Sequence, residues 1–461
     1  MLSFLLNSQS PAEFQRLWQS TPFIYRKAPN QSLTRWEVFL AAEQLSQTAF
    51  STNLNIKHSA LLLFQKRDHF LIGLLATAMR QGKAVLPPNL AGATLEKLKD
   101  KIPNLWIFGD ELPKKLHNQP QIPSKQIDDI IQLVKNNGQP FDQQRLVDTF
   151  EAIQNSEIWL YTSGTTGKPK KIIKTWQNMI CSAALAIDRF LLMLPCYIVA
   201  TVPNQHMFGL ETALFWPFFS KASLWYERPI FAEDVISALS NNVTQPALLV
   251  STPLHLKKLL AFELNWPTHL SRLLSATESL SHTLAEQLEN EFKAKLFEVY
   301  GSTETASIAS RQTTHTEIWQ AYNKVSFERL SNAHYAVKTP GLTGYQVLND
   351  QIEHLDEQHF KLGRRDSDLI KVAGKRASLT ELNNHLQSIP GITEGIFIQD
   401  PSAERLALFV VSSLTPSDIL CELRVLIDPA FLPRPITYLK ALPRSGVGKI
   451  LYNELLSKRL S

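Results

Sequence analysis

Trp159-Leu-Tyr-Thr-Ser-Gly-Thr-Thr-Gly-Lys-Pro-Lys-Lys-Ile172 decides how the rest of the chain reads. The apolar, aromatic run Ile158 to Tyr161 predicts a buried strand, which stops at a loop of hydroxyls, glycines and lysines and resumes at Ile172 and Ile173. Gly164 and Gly167 let backbone approach a ligand closely and take positive φ. Thr162, Ser163, Thr165 and Thr166 supply hydroxyl donors, and Lys168, Lys170 and Lys171 supply positive charge. Such a loop suits a polyphosphate. It is not a Walker loop: the glycines stand three apart, and Pro169 rather than Ser or Thr follows Lys168.

Glycine is otherwise scarce, and seven of the 17 fall in four short windows, 161–171, 300–305, 363–376 and 443–449. Clustering of a scarce, permissive residue marks backbone that bends tightly or meets a ligand. The second window is Leu296-Phe-Glu-Val-Tyr-Gly-Ser-Thr-Glu-Thr305. There Tyr300 can stack on a base, Thr303 can donate to a phosphate oxygen, and Glu304 can hold Mg²⁺ whose shell phosphate oxygens complete. Gly301 and Ser302 lie between them; an ordinary strand-to-helix turn is the plainer reading of this hexapeptide.

Between the windows the pattern is strand, turn, helix. Helices are expected over 32–45, capped by Thr34, and over 69–80, 176–192 and 284–292. Strands are expected at 60–64, 84–86, 198–202 and 247–250. This order implies an α/β fold with parallel strands joined by right-handed crossovers, whose ligands sit at the carboxyl ends of strands. Two segments fall there, Pro203-Asn-Gln-His-Met-Phe-Gly-Leu-Glu211 and Ser275-Ala-Thr-Glu-Ser-Leu280. Residues 100–150 are polar and carry no functional signal. From about 320 to 360 the pattern turns to short alternating strands. Beyond it helix (379–388), strand (395–399), strand (406–411) and helix (417–427) predict a small α+β unit.

These motifs closely resemble the adenylate-forming superfamily: acyl- and aryl-CoA ligases, peptide-synthetase adenylation domains and firefly luciferase. The resemblance covers most of the chain from about residue 35, with Lys171 where the phosphate loop usually carries another glycine. It implies a large N-terminal domain (1–362) of parallel and mixed sheets with helices and a small distorted barrel. A small mobile α+β domain (363–461) would follow. It implies that a carboxylic acid attacks Mg·ATP to give acyl-AMP, and that a thiol then displaces AMP. The 162–168 loop would take the β,γ-phosphates, Thr303 the α-phosphate and Glu304 the metal.

Asp350 matches the carboxylate that takes the ribose hydroxyls, although Asn349 precedes it where relatives often have glycine. A turn aspartate is its other reading. Leu362-Gly-Arg-Arg-Asp-Ser-Asp-Leu-Ile-Lys371 matches the hinge motif with one residue more than usual. Either Arg364 or Arg365 would therefore contact ribose, and either Asp366 or Asp368 would be the pivot. Arg376 matches the arginine expected near phosphate. Leu442-Pro-Arg-Ser-Gly-Val-Gly-Lys449 matches the catalytic lysine loop, Lys449 bridging carboxylate and phosphate oxygens. His206 and Phe208, with Ser275, Ala276 and Thr277, would line the acyl pocket, a packed histidine being the other reading of His206. The 203–211 segment and Gly374-Lys-Arg-Ala-Ser-Leu379 look most like short ligases that load an aromatic or fatty acyl group onto an acyl carrier protein. CoA is the alternative acceptor, and a catalytically silent nucleotide-binding protein is the alternative of another class. Positive side chains predominate from residue 431 on (Arg434, Lys440, Arg444, Lys449, Lys458 and Arg459 against Glu454), which suits an acidic carrier or CoA, or a solvated tail.

The bulk properties agree. A chain of 461 residues exceeds a single core and suggests two or three domains. A net charge of +5 without long basic runs argues against nucleic acid. Three widely spaced cysteines argue against a disulfide framework and for a reducing compartment. Met1-Leu-Ser-Phe-Leu-Leu lacks a basic region, so no signal peptide is expected. The longest apolar stretch, 190–202, is too short to span a bilayer. A cytoplasmic protein without integral membrane association is expected.

Overall fold

The computed structural model describes residues 9–27, 31–49, 58–110, 116–162, 170–241, 244–262, 264–331, 334–365, 369–372, 375–399, 405–444 and 450–459. They fall into two compact units, Met1–Ser326 with Lys338–Gln346, and Phe327–Val337 with Val347–Ser461.

The larger unit is built on two sheets. Its strands are Pro22–Tyr25 (β1), Leu33–Thr34 (β2), Ser59–Leu62 (β3), Lys83–Leu86 (β4), Leu105–Phe108 (β5), Gln121–Ile122 (β6), Glu157–Thr162 (β7) and Lys170–Thr175 (β8). They continue with Cys196–Ala200 (β9), Ala222–Trp225 (β10), Ala247–Ser251 (β11), Leu270–Ser275 (β12), Lys295–Ser302 (β13), Ala306–Gln312 (β14) and Ile318–Ala321 (β15). One sheet runs β6-β5-β3-β4-β7-β8, parallel except for β8, which pairs antiparallel with β7. In the other, β15-β14-β13-β12-β11-β9-β10-β1-β2 are consecutive neighbours.

β13, β12, β11 and β9 run parallel. Every residue of β9 and β11 is buried, as expected of strands covered by helices on both faces, and this explains their unbroken apolar runs. The carboxyl ends of these four strands bring 201–206, 251–252, 275–280 and 300–304 to one edge.

The helix Arg67–Met79 is buried from Arg67 through Ala78 and packs on β3 and β4 of one sheet. Its backbone enters beside the other: Arg67 N–H donates to Tyr226 O (2.8 Å), and its guanidinium donates to the carbonyls of Glu227 and Ala200. Burial pushes the Arg67 pKa down to about 9, so these carbonyls are what hold the charge in place.

Thr34 caps the helix Arg35–Ala49 as expected. Its Oγ1 accepts from Glu37 N–H (3.2 Å), and the Glu37 carboxylate accepts from Thr34 N–H (2.7 Å). The helix expected over 176–192 ends at Arg189, because Leu191 takes a left-handed φ of 52°. Within 100–150, helices Ser124–Asn137 and Gln143–Ile153 are present. The first buries Ile127, Ile130, Ile131 and Val134 at helical spacing and is stopped by Gly138 in the left-handed region.

In the smaller unit Asp350–His354 and His359–Arg365 form an antiparallel hairpin, as do Leu369–Val372 and Lys375–Ser378. Strand Leu406–Ser412 pairs antiparallel with Ile392–Gln399 and parallel with Ile436–Tyr438. Alternate residues on the first two of these serve two apolar layers. Phe397, Leu406, Leu408 and Val410 pack with Leu382, Leu386, Ile419 and Leu423 from helices Leu379–Gln387 and Pro416–Leu426. Ile396, Ile398, Ala407 and Phe409 pack with Leu442 and with Leu455 of helix Tyr452–Arg459. The mixed α/β architecture anticipated from the sequence is the one observed. Cys181, Cys196 and Cys421 are all free. No described helix is long and apolar enough to cross a membrane.

Candidate active site

The two glycine windows of the larger unit meet in space. Thr162 closes β7 and pairs in register with Lys170 at the start of β8, so an antiparallel pair brackets 163–169. Lys170 Nζ then reaches the carboxylate of Glu304, at 2.8 Å from Oε1. Residues 134 positions apart in sequence thus join the start of β8 to the turn that follows β13.

That turn is a β-hairpin, not the entrance to a helix. β13 runs through Tyr300 and Gly301 and reverses over 302–306 into antiparallel β14, with an irregular register at Tyr300/Gly301. Ser302 and Thr305 fasten it reciprocally: Ser302 N–H donates to Thr305 Oγ1 (2.9 Å), and Thr305 N–H donates to Ser302 Oγ (3.1 Å). Ala306 sits at φ 61°, a left-handed conformation that a residue with a Cβ adopts at a cost. Gly301 is required here, since a Cβ on it would lie 2.1 Å from the Ala306 carbonyl oxygen. Tyr300 is buried against Trp319, ring centroids 5.7 Å apart.

Burial opposes ionisation of Glu304. Hydrogen bonds from Lys170, its own backbone and Ser302, together with the Lys170 charge, outweigh it and hold the carboxyl below its ordinary value. Beneath the turn lies a second lysine. Lys174, 4% exposed on β8, donates from Nζ to the main-chain carbonyl of Glu304. Burial pushes its pKa down to about 8 against the opposing charges of Glu211 and Glu304.

Glu211 is itself buried and opens the π-helical turn Glu211–Phe215, which interrupts the helical run from Met207 to Phe218. Its carboxylate accepts from Ser182 Oγ (2.6 Å) and from Ser307 Oγ (2.8 Å) and N–H (3.1 Å). Burial still raises its pKa. Neither Lys174 nor Glu211 is given a role by the sequence alone. Nothing local distinguishes a buried strand lysine from an exposed one.

The acyl-pocket candidates flank the same edge. His206 stands half-buried at the N-cap position of the helical run, and Phe208 is half-buried in its first turn. Gly209 allows this run to fold back on Pro203, whose carbonyl oxygen would lie 2.0 Å from an added Cβ. Ser275 is fully buried at the end of β12, Ala276 is half-buried, and exposed Thr277 holds a φ of 87°, a strained value for a β-branched residue. Lys171 places its ammonium 3.8 Å from the Trp159 ring centroid.

In the smaller unit Asp350 stands opposite Arg365 in backbone register. Arg444 and Ile450 form an antiparallel bridge that brackets 445–449. Ser163, Gly164, Thr165, Thr166, Gly167, Lys168, Asp366, Asp368 and Lys449 lie outside the described residues, as do the side chains of Arg364, Arg365 and Arg376.

A half-buried, ionised carboxylate suits a hard divalent cation. Among the described residues no cluster of three or more His, Cys, Asp or Glu side chains could hold a metal.

The chain is similar to proteins of known activity. The chain is 26% identical over 339 residues to the 4-coumarate–CoA ligase-like 5 protein of Oryza sativa subsp. japonica, a match covering 66% of this chain and 62% of that protein. It is 24% identical over 357 residues to the 3-hydroxybenzoate–CoA/4-hydroxybenzoate–CoA ligase of Thauera aromatica, covering 66% and 67%. The chain therefore spans about two thirds of these relatives' own length. Its fold matches ATP-bound MatB from Rhodopseudomonas palustris with a TM-score of 0.75 at 17% identity, over 99% of this chain and 98% of that one. It also matches the O-succinylbenzoate coenzyme A synthetase MenE of Bacillus subtilis, in complex with ATP and magnesium ion, with a TM-score of 0.73 at 20% identity over 93% and 95%. The model of the AMP-binding enzyme family matches residues 15–361, and the chain belongs to that family.

Proposed function

We propose that this enzyme is an AMP-forming acid–thiol ligase. It would activate an acyl or aryl carboxylic acid with ATP and Mg²⁺ and pass the acyl group to a thiol. The observation that carries this reading is the junction of Lys170 and Glu304, which joins a phosphate-loop strand to an ionised metal-type carboxylate. Adenylation brings two anions together, and preorganised cations and donors at the developing charge lower such barriers.

Bound Mg²⁺ would neutralise phosphate charge and hold the phosphates in place. Glu304 would hold it, and Lys170 would then give up its carboxylate partner to face the phosphates. Residues 162–168 take the β,γ-phosphates and Thr303 the α-phosphate, while Tyr300 flanks the adenine. Asp350 and one of Arg364 and Arg365 take the ribose, and Arg376 stands near phosphate. The acid lies among His206, Phe208, Ser275, Ala276 and Thr277. Lys449 neutralises carboxylate and phosphate oxygens in the first step. Residues 363–461 act as the mobile domain, withdrawing Lys449 so that the thiol can enter.

The relatives' names favour CoA as the thiol. The carrier-protein acceptor suggested by residues 203–211 and by the basic C-terminal region has no counterpart in those names. Acid-dependent exchange of pyrophosphate into ATP, run over aromatic, dicarboxylic and medium-chain acids, tests the first half-reaction. Mg²⁺-dependent exchange with at least one acid is expected; nucleotide binding without exchange for any acid would favour a silent nucleotide-binding protein. CoA and holo carrier protein, compared as acceptors of the adenylate, then identify the thiol.

A further inference from the structure

Two lysines of one strand hold one residue from both ends. Lys170 and Lys174 are four positions apart on β8, so they share a face of the strand. Lys170, 64% exposed at its side chain, holds the Glu304 carboxylate, whereas buried Lys174 holds the Glu304 main-chain carbonyl. We infer that Lys174 is a positioning residue for the metal site: supported by Glu211, it anchors the Glu304 backbone so that the carboxylate keeps its place when a cation displaces Lys170. The inference rests on Glu304 being the metal ligand.

A charge is a costly way to satisfy one carbonyl in a protein interior, and apolar substitutes for buried ion pairs are often no less stable. What a charge supplies here is a fixed point. Glu211 fastens the far side of the same hairpin through Ser307 and ties it to the helix Trp176–Arg189 through Ser182. The turn 302–306 is thereby gripped at Glu304 and at Ser307, either side of the left-handed Ala306. The Lys170 contact is exposed and weak, as surface ion pairs are, and gives way readily. The two lysines thus divide the work: Lys170 is an exchangeable partner of the carboxylate, and Lys174 a permanent one of the backbone.

The test uses the full chain and titrates Mg²⁺ calorimetrically in the presence of a non-hydrolysable ATP analogue, alongside thermal melts. Lys174→Met is expected to lower both Tm and the apparent affinity for Mg²⁺, the latter by about tenfold or more, the range found when partners that orient metal ligands are removed. Lys174→Met combined with Glu211→Gln removes the stranded carboxylate. It is expected to regain most of the Tm while the Mg²⁺ affinity stays low. Recovery of both together would show that Lys174 merely balances the charge of Glu211, and would overturn the inference. Glu304→Gln in the same titration separates the underlying reading. If that variant binds Mg²⁺ as the wild type does, Glu304 is not the ligand and both fall. If it loses Mg²⁺ while the double variant keeps it, only the role of Lys174 falls.

Discussion

Gly301→Ala is the sharpest perturbation of the hairpin that carries Glu304. A Cβ at this position would lie 2.1 Å from the Ala306 carbonyl oxygen and 2.8 Å from both Ala306 C and Ser307 Cα. Ordinary contact begins near 3.4 Å, so the oxygen must retreat by about 1.3 Å. All three obstacles are backbone, and no rotamer change relieves them. Gly301 and Ser307 are partners across the hairpin, so opening it pulls on the Ser307 bonds to Glu211 and on the Lys174 bond to Glu304. Overpacking of this kind costs about 1–3 kcal/mol. The larger effect falls on catalysis, because displacing a functional group by about 1 Å can cost roughly 100-fold in rate. Urea unfolding and pyrophosphate exchange on the same preparation would read both quantities. Gly344→Ala is the matched control, since its Cβ would meet nothing within 4 Å. Stability within about 0.5 kcal/mol of wild type is expected there. If Gly301→Ala shows unaltered exchange and stability, the hairpin does not fix Glu304 and the reasoning is wrong.

Other variants probe separate links. Phe218, 1% exposed, packs its ring against Trp18, Phe23, Phe150 and Phe219, and Phe218→Ala should cost about 3–5 kcal/mol in urea unfolding. For Asp128, burial pushes the pKa up, but the hydrogen bond and charge of His69 and the charges of Lys66 and Arg26 outweigh it and bring it down to about 2. A depressed carboxylate contributes stability that is present above its unfolded value of 3.8 and lost as pH falls toward 2. Asp128→Asn should therefore flatten the acid limb of stability against pH between these values, and an unchanged limb would exclude Asp128 as its source. Lys449→Ala should abolish acyl-AMP formation while sparing thioester formation from supplied acyl-AMP; equal loss of both would refute the withdrawal of Lys449 between steps.

Much of this molecule is legible from sequence because two signals are local. Strands buried on both faces announce themselves as unbroken apolar runs, as β9 and β11 do, and Gly301 marks the place where β13 turns back. Thr34, ahead of an apolar-periodic run, declares a helix start. What stayed hidden depends on distant contacts. The left-handed Ala306 has no signature in its residue type, so the turn after Tyr300 reads equally well as the start of a helix. The helix Ser124–Asn137 carries its isoleucines at proper spacing, but charged and amide residues between them masked the stripe. Lys174 and Glu211 gain their meaning only when β8, the π-helical turn and the β13–β14 hairpin are brought together.

The central claim is that β8 and the 302–306 turn form one Mg·ATP site. A crystal structure of the protein with ATP and Mg²⁺ tests it directly. A metal about 2.1 Å from a Glu304 carboxylate oxygen, with the triphosphate along residues 162–168 and the adenine beside Tyr300, is the predicted result. Nucleotide bound elsewhere, or a metal that leaves Glu304 paired with Lys170, would contradict it.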